Sequence, residues 1–338
     1  MTTESEQSGI PAYQKGGVTS MAHKALAEKQ KNTTAKAAAT AGKLQRRERY
    51  GALFCLPFII TFLVFNIYPV FRTLQMSFMN YKGFGKETFA GFANYTRALK
   101  DELFRDAFLN TLKMWGVNIV LQLGLALLLT IIFNDIKYRM KGLGIFRALF
   151  YLPNLIACTS VAFLFKTLLD WKYGSFNQLL MKLGIIGTQV NWLTGEGLTA
   201  QMVVGVVGAW MWFGNSFIML MAGVQGIDKT YFEAATIDGA GRWQIFGKIT
   251  MPLLRPLMLY VAVTSLIGGL QVFDLPYLMS GTTGQPGRSL YTAVFYLYTT
   301  AFKNNQMGYA AALAFVLFLI IAVFCGLAFK LMNKKEAD

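Results

Sequence analysis

Six long stretches without a charged residue limit the folds that this sequence can adopt. Each stretch can hold the ~20 apolar residues with which a helix crosses a hydrocarbon layer ~30 Å thick. Because unpaired backbone groups are costly in lipid, we expect each stretch to be helical, even where a proline lies near its end. The sequence therefore predicts an all-α integral membrane protein with six transmembrane helices. The uncharged windows are 50–71, 114–134, 148–165, 197–227, 256–273 and 304–329.

The composition agrees with a lipid environment and argues against several other functions. Hydrophobic residues make up 54% of the chain and charged residues 14%, whereas a soluble domain carries about a quarter charged residues. The net charge of +15 lies in the tails and short loops, so we expect a lipid bilayer and no nucleic acid as partner. Cys55, Cys158 and Cys325 lie in apolar stretches without paired spacing, which predicts neither a disulfide nor a metal site. No cluster of catalytic side chains is apparent, so we expect no enzyme activity and no cofactor.

The distribution of Lys and Arg predicts the orientation of the chain. With both termini in the cytoplasm, 20 of the 32 basic residues lie on the cytoplasmic side, nine of them before residue 50. The opposite orientation would contradict the preference of short basic loops for that side. Segment 72–113 holds seven more basic residues and weakens the contrast. We expect a multi-pass membrane protein with both termini in the cytoplasm.

The chain divides into a membrane domain and two tails. Residues 1–49 are rich in Ala, Lys, Thr and Gln, which predicts a disordered basic cytoplasmic tail. The first apolar stretch begins only after Arg49, so we interpret it as a retained anchor. The six-helix domain is expected at 50–332, with a cytoplasmic loop at 226–252 and a short cytoplasmic tail at 333–338.

The loop between the fourth and fifth windows has the pattern of two helices joined by a turn. Asp228 is a suitable N-cap for a helix that ends near Ile237. Gly239 and Gly241 suit a left-handed turn, and a second helix would run from Arg242 towards the membrane. The sequence predicts a helix-turn-helix that projects from the membrane, with Glu233 exposed. A solvated connector is the general alternative for a loop of mixed charge.

This loop resembles the signature of the permease subunits of binding-protein-dependent ABC importers. The signature is Glu-Ala-Ala, three residues, Gly, nine residues, Ile, two residues and Pro. The sequence has Met251 where the family usually has Leu before the proline, a substitution of similar volume. The matching residues are Glu233, Ala234, Ala235, Gly239, Ile249 and Pro252.

The resemblance implies a type I importer fold in which the first helix of the loop docks in a groove of an ATPase subunit. It implies as partners a second, homologous permease, two ATP-binding cassette subunits, an extracytoplasmic solute-binding protein and a carbohydrate substrate. ATP would be bound by the ATPase subunits, so that this chain needs no cofactor. The coupling residues implied for this chain are Glu233, Ala234, Ala235, Asp238, Gly239, Gly241, Ile249 and Pro252.

The similarity extends over most of the chain after residue 50 and is strongest for the carbohydrate-uptake branch, in its compact six-helix form. It is carried by short polar and aromatic motifs at the ends of the spans. These are Asn94-Tyr95, Asn110-Thr111, Phe146-Arg147, Leu152-Pro153, Gly174 with Asn177, and Phe273-Asp274 with Tyr277.

Polar side chains within the apolar windows are candidates for the substrate path, because such groups are costly in a membrane. Hydrogen bonding between helices is the equally acceptable alternative. Gly268-Gly269 similarly has a packing interpretation, which we favour, and a hinge interpretation. The candidates for the path are Asn154, Asn215, Ser216, Ser265, Gln271 and Asp274.

Two other classes of protein remain to be compared with a sugar permease. An importer of glycerol phosphate belongs to the same branch, although Lys166 is the only basic residue within the spans. A self-sufficient secondary transporter usually shows inverted repeats and ionisable residues at the middle of the membrane. Neither feature is clear here, since Asp274 lies near the end of a window.

Overall fold

The computed structural model describes residues 53–133 and 142–333. The predicted tail at 1–49, and the predicted tail at 333–338 apart from its first residue, lie outside the described residues. In the described part, five helices are long and apolar enough to cross a membrane, and one bent pair of helices makes a sixth candidate span. The predicted all-α membrane fold is therefore confirmed.

Most of the described residues are helical, and the only strands among them form a small hairpin of Met79–Asn80 (β1) and Thr88–Phe89 (β2). Turns of π-helix lie at Leu63–Ile67, Phe246–Thr250 and Thr299–Lys303. The α-helices are α1 (Leu53–Ser77), α2 (Ala93–Lys100), α3 (Glu102–Phe133), α4 (Leu143–Leu155), α5 (Cys158–Leu168), α6 (Ser175–Lys182), α7 (Gly197–Gln225), α8 (Lys229–Ile237), α9 (Arg242–Ile245), α10 (Met251–Leu270), α11 (Asp274–Ser280), α12 (Ala293–Tyr298) and α13 (Met307–Asn333).

The third predicted span is not one continuous helix. Helices α4 and α5 meet at an angle of 89°. Ile156 and Ala157 between them have extended backbone, with ψ angles of 134° and 133°. Pro153 lies in the last turn of α4 and has no backbone N–H to donate, which weakens the helix just before the break. The prediction that the whole of 148–165 is helical is corrected accordingly.

The chain forms two compact units, Met1–Phe71 and Arg72–Asp338. In the first unit, the described residues belong to α1, whose apolar window has no buried residue. In the second unit, α7 is the most enclosed span, with 61% of its window buried. A helix that is apolar on every side is expected to be surrounded by other helices, as α7 is.

Glycines allow α7 to approach its neighbours closely. A Cβ atom at Gly214 would lie 1.8 Å from the backbone oxygen of Phe150 in α4. At Gly205 it would lie 2.9 Å from the backbone oxygen of Met114 in α3. Membrane helices associate through van der Waals packing rather than a hydrophobic driving force, so small residues at the contact determine how closely they pack. These positions therefore fix α7 against both α3 and α4.

Side-chain amides hold the loops that connect the spans. Asn94 donates hydrogen bonds to the carbonyl oxygens of Ser77 and Met79, both at 2.9 Å. Asn177 is 2% exposed and takes part in four hydrogen bonds within its loop. It donates to two carbonyl oxygens and accepts from the backbone of Val190 and from the indole of Trp192. Two motifs that carry the family resemblance thus have a structural role.

A partly buried carboxylate joins the beginning of α3 to the last third of the chain. Asp101 accepts hydrogen bonds from the hydroxyls of Tyr296 and Tyr309 and from the backbone N–H groups of Leu103 and Phe104. Burial by itself raises the pKa of Asp101, but these hydrogen bonds together lower it below its usual range. Burial and the bond to Asp101 raise the pKa of Tyr296 to about 12. The ionised carboxylate stabilises the fold above its unfolded pKa of ~3.9, and this contribution is lost as the pH falls through the lower folded value.

The two neighbouring glycines of α10 have different surroundings. A Cβ atom at Gly269 would lie 2.0 Å from the indole ring of Trp115, whereas a Cβ atom at Gly268 would meet nothing within 4 Å. Gly269 is therefore a packing position, as we favoured from the sequence, and Gly268 is not.

We expect Gly269→Ala to destabilise the protein and Gly268→Ala to be tolerated. Overpacking of this kind costs about 1–3 kcal/mol, while alanine at the open position favours the helix. Thermal unfolding of both variants in detergent would measure the difference. A hinge would behave otherwise: both variants would retain the wild-type unfolding temperature and lose transport.

Candidate coupling loop and transport path

The first helix of the predicted coupling loop begins and ends as expected. The Asp228 side chain accepts a hydrogen bond from the backbone N–H of Thr230, which lowers the pKa of this carboxyl. Helix α8 ends at Ile237, and Gly239 follows with a φ of +77°. Only glycine adopts that left-handed conformation without strain. The N-cap and the glycine turn are confirmed.

Helix α8 has an inner and an outer face. Phe232 and Ala235 are 6% and 9% exposed, and Phe232 packs against Val224 of α7 and Leu254 of α10. Glu233 and Ala234 lie on the exposed side. Ala234 and Ala235 therefore lie on different faces of α8, because successive helical residues point about 100° apart. Ala235 brings α8 close to its own membrane domain, and Ala234 leaves the outer face flat.

Large apolar side chains extend the outer face of the loop. Ile237 is 86% exposed, Trp243 is 69% exposed and Tyr231 is 57% exposed. Asp238 is exposed as well and follows α8 directly. An exposed apolar patch beside charged residues is typical of a protein interface.

The second half of the loop leads into the fifth span without a break. Gly241 has extended backbone with a φ of −74°, so the expectation of a left-handed turn at this residue was wrong. Its N–H instead donates to Gln244 at 2.8 Å, which caps α9. The chain then continues through the π-turn into α10, where Pro252 is the second residue. Ile249 packs against the buried cluster beneath α8.

Arg242 connects the loop to the second span. Its guanidinium donates hydrogen bonds to the carbonyl oxygens of Ile131 and Ile132, the latter at 3.0 Å. These carbonyls belong to the last described turn of α3, so the contact joins the coupling loop to that helix. Arg242 is not among the coupling residues predicted from the sequence, since the signature pattern leaves its position open.

Two of the candidates for the substrate path join helices to one another. Gln122 in α3 is 5% exposed and donates a hydrogen bond to Ser216 in α7 at 2.7 Å. Ser265 in α10 donates to the same Gln122 side chain at 3.1 Å. The three residues satisfy each other's polar groups within the bundle, which is the packing role expected of polar residues in membrane helices. Gln122 is a polar residue within an apolar window, so it could have been identified from the sequence by the same criterion as the six candidates.

The other four candidates are more accessible. Asn215 and Asn154 are half-buried, and the Asn215 side chain has no hydrogen-bond partner among the described residues. Gln271 and Asp274 are exposed at the junction of α10 and α11. None of the six candidates lines the cavity of about 520 Å³ in the second unit.

In the described ranges no group of three or more His, Cys, Asp or Glu side chains is placed to hold a metal ion.

The comparisons with known proteins agree with this arrangement of spans and loop. The family model for the inner membrane component of binding-protein-dependent transport systems matches residues 122–334. The chain belongs to this family and is a multi-pass membrane permease component rather than an enzyme.

Several characterised permeases are similar over most of their length. LacF, the lactose transport system permease protein of Rhizobium radiobacter, is 34% identical over 85% of this chain and 95% of its own. AraP, the arabinooligosaccharides transport system permease protein of Bacillus subtilis, is 33% identical over 85% of this chain and 89% of its own. MalF, the trehalose/maltose transport system permease protein of Thermococcus litoralis, is 31% identical over 83% and 93%.

A solved structure has the same fold. It is that of a bacterial alginate ABC transporter in complex with an alginate pentasaccharide-bound periplasmic protein. One of its chains is 25% identical, with a TM-score of 0.70 over 86% of this chain and 96% of that chain. The type I importer fold is thereby confirmed.

We expect Arg242→Ala to lower uptake per ATP hydrolysed several-fold in the assembled importer. The substitution removes the hydrogen bonds between the loop and the end of α3. A movement of the loop would then cause a smaller movement of α3, which is the second span. Arg242→Lys should retain part of the function, because lysine keeps the charge but lacks the forked donor geometry. Uptake and ATP turnover would be measured together in reconstituted vesicles.

Lys248→Ala is the matched control, since Lys248 is an exposed basic residue of the same loop. An unchanged ratio of uptake to ATP turnover in Arg242→Ala would show that this contact does not contribute to coupling.

Proposed function

We propose that this chain is the permease subunit of an ABC importer for a sugar or oligosaccharide, driven by ATP hydrolysis on separate subunits. The observation that carries the proposal is the α8 loop, with a capped helix, a left-handed glycine and an exposed apolar and acidic face. Such a face is suited to a groove on a partner protein. Membership of the binding-protein-dependent family supports the same assignment.

The substrate class is supported by the relatives. The similar permeases belong to transport systems for lactose, arabinooligosaccharides and trehalose or maltose. A sugar or oligosaccharide is therefore favoured over glycerol phosphate. The family assignment disfavours the self-sufficient secondary transporter considered in the sequence analysis.

The proposed partners are a second, homologous permease, two ATP-binding cassette subunits and an extracytoplasmic solute-binding protein. Membership of the family of binding-protein-dependent transport components supports the second permease. The solved alginate transporter includes a periplasmic protein, which supports the binding protein. ATP would be bound by the ATPase subunits.

The proposed orientation places both termini and the α8 loop in the cytoplasm of a bacterial cell. The excess of basic residues in the tails and in the segments around the loop supports this orientation. The α8 loop would then face the ATPase subunits, and the beginnings of α3 and α7 would lie on the extracytoplasmic side.

We expect Glu233→Lys to weaken binding of the ATPase subunits by about tenfold or more, because it reverses a charge on the exposed face of α8. Purified ATPase subunits would be added to inverted membrane vesicles, in which the cytoplasmic side faces outward. Glu102→Lys, an exposed position at the start of α3, is the control. Binding to right-side-out vesicles would contradict the orientation, and wild-type binding by Glu233→Lys would contradict the docking role.

We expect substitutions at the adjacent positions 215 and 216 of α7 to distinguish a residue of the substrate path from a residue that packs helices together. Asn215→Ala should weaken apparent substrate affinity by a few-fold at normal stability, because a free amide can hydrogen-bond a sugar hydroxyl. Ser216→Ala should instead lower the unfolding temperature, because Gln122 loses a partner, and should leave the affinity unchanged. Initial uptake at saturating binding protein would be recorded against substrate concentration. Identical affinity in Asn215→Ala and wild type would remove Asn215 from the path.

A further inference from the structure

A polar pocket lies at the end of the bundle opposite to the coupling loop. It has a volume of about 520 Å³, and its walls come from the beginning of α3, the beginning of α7 and the loop at 287–291. Arg242 contacts the other end of α3, which has 32 residues and is therefore about 48 Å long. In the proposed orientation the pocket opens on the extracytoplasmic side. The inference that follows rests on the proposed function.

The side-chain amides at the pocket are already engaged. Asn110 donates to the carbonyl oxygen of Arg288 at 3.0 Å. Gln201 is 3% exposed and donates to Asn110 and to the carbonyl oxygen of Ser289, both at 2.8 Å. These contacts hold the 287–291 loop against α3 and α7. The amide groups that would recognise sugar hydroxyls are thus used to build the pocket wall.

Apart from the Ser289 hydroxyl, which is buried without a hydrogen-bond partner, the polar side-chain groups that remain available are charged. Lys113 and Arg288 line the pocket, and neither side chain has a hydrogen-bond or ion-pair partner among the described residues. Asp106 also lines the pocket, but it pairs with Arg105 at 3.5 Å. The uncompensated charge at the pocket is therefore positive.

Two further features favour a negatively charged occupant. Gly197 and Leu198 line the pocket at the start of α7, and Glu196 before them makes no side-chain cap. Unpaired N–H groups at the start of a long helix attract negative charge. Arg288 has a φ of +63°, an uncommon conformation for a residue with a side chain. Its carbonyl oxygen accepts a hydrogen bond from Asn110, and the residue lines the pocket.

We propose that this pocket is a docking site for a carboxylate of the extracytoplasmic binding protein, contributed by an Asp or Glu side chain on its surface. Lys113 and Arg288 pair with the carboxylate, and the start of α7 adds to the attraction. Arg presents two parallel donors, which suit a carboxylate. A sugar is disfavoured as occupant, because Asn110 and Gln201 are committed to the loop and the pocket presents charges instead of free amides.

The test uses the assembled importer in lipid nanodiscs and the purified binding protein of the same importer, loaded with substrate. ATP turnover is recorded against the concentration of binding protein at two salt concentrations. In the double variant Lys113→Glu, Arg288→Glu, we expect the concentration for half-maximal stimulation to rise about tenfold or more at low salt. The difference from wild type should shrink at high salt, because screening weakens charge interactions.

Lys182→Glu is the matched control, because it makes the same charge change on an exposed lysine outside the pocket. We expect it to retain the wild-type concentration dependence. In the double variant, one Asp→Lys or Glu→Lys substitution on the binding protein should restore the affinity. Should no such substitution restore it, or should the double variant match wild type, the docking site is wrong.

Two other results have separate meanings. If the double variant binds the binding protein normally but changes the dependence of uptake on substrate concentration, the pocket holds substrate, and the docking proposal is overturned. If the wild-type importer shows no stimulation by the binding protein, the proposed function itself fails. Both Lys113 and Arg288 are exposed, so their substitution should not disturb the fold. Recovery of the complex by size-exclusion chromatography verifies that the variants assemble.

Discussion

The close approach of α7 to α3 and α4 is the contact on which the rest of the molecule depends. In lipid, two apolar helices gain little from leaving the solvent, so van der Waals contact and a few hydrogen bonds must hold them together. Glycines at 205 and 214 remove the side chains that would separate the backbones. The Gln122 amide then connects α3 to both α7 and α10. The positions of the two loops at the ends of α7 follow from this packing.

Both ends of α3 are tied to loops by polar side chains. At its beginning, Asn110 supports the 287–291 loop, and at its end Arg242 of the coupling loop binds its carbonyl groups. Helix α8 is in turn seated through Phe232 on α7 and α10. A continuous set of contacts therefore joins the exposed face of α8 to the opposite end of the bundle. A type I importer requires such a connection if ATPase closure is to change the access of the substrate path.

Local features of the fold were predictable from the sequence, and contacts between distant residues were not. The apolar windows predict the spans, and Asp228 and Gly239 predict the limits of α8, because a cap and a left-handed glycine act within a few residues. The break at Ile156 and Ala157 has little local signal beyond Pro153. Ser216 and Ser265 looked like path residues because their partner Gln122 lies 94 and 143 positions away. The inward side of Ala235 likewise depends on the helices beneath it.

The loop around Asn177 shows how a transporter can change its outer surface without losing its shape. One buried amide makes four hydrogen bonds: it donates two to carbonyl oxygens and accepts one from a backbone N–H and one from an indole. Backbone groups are present whatever the side chains are, so the loop conformation depends little on the identity of its exposed residues. Those residues are free to diverge. Evolution can therefore change this surface one substitution at a time, while the helices beneath remain unchanged.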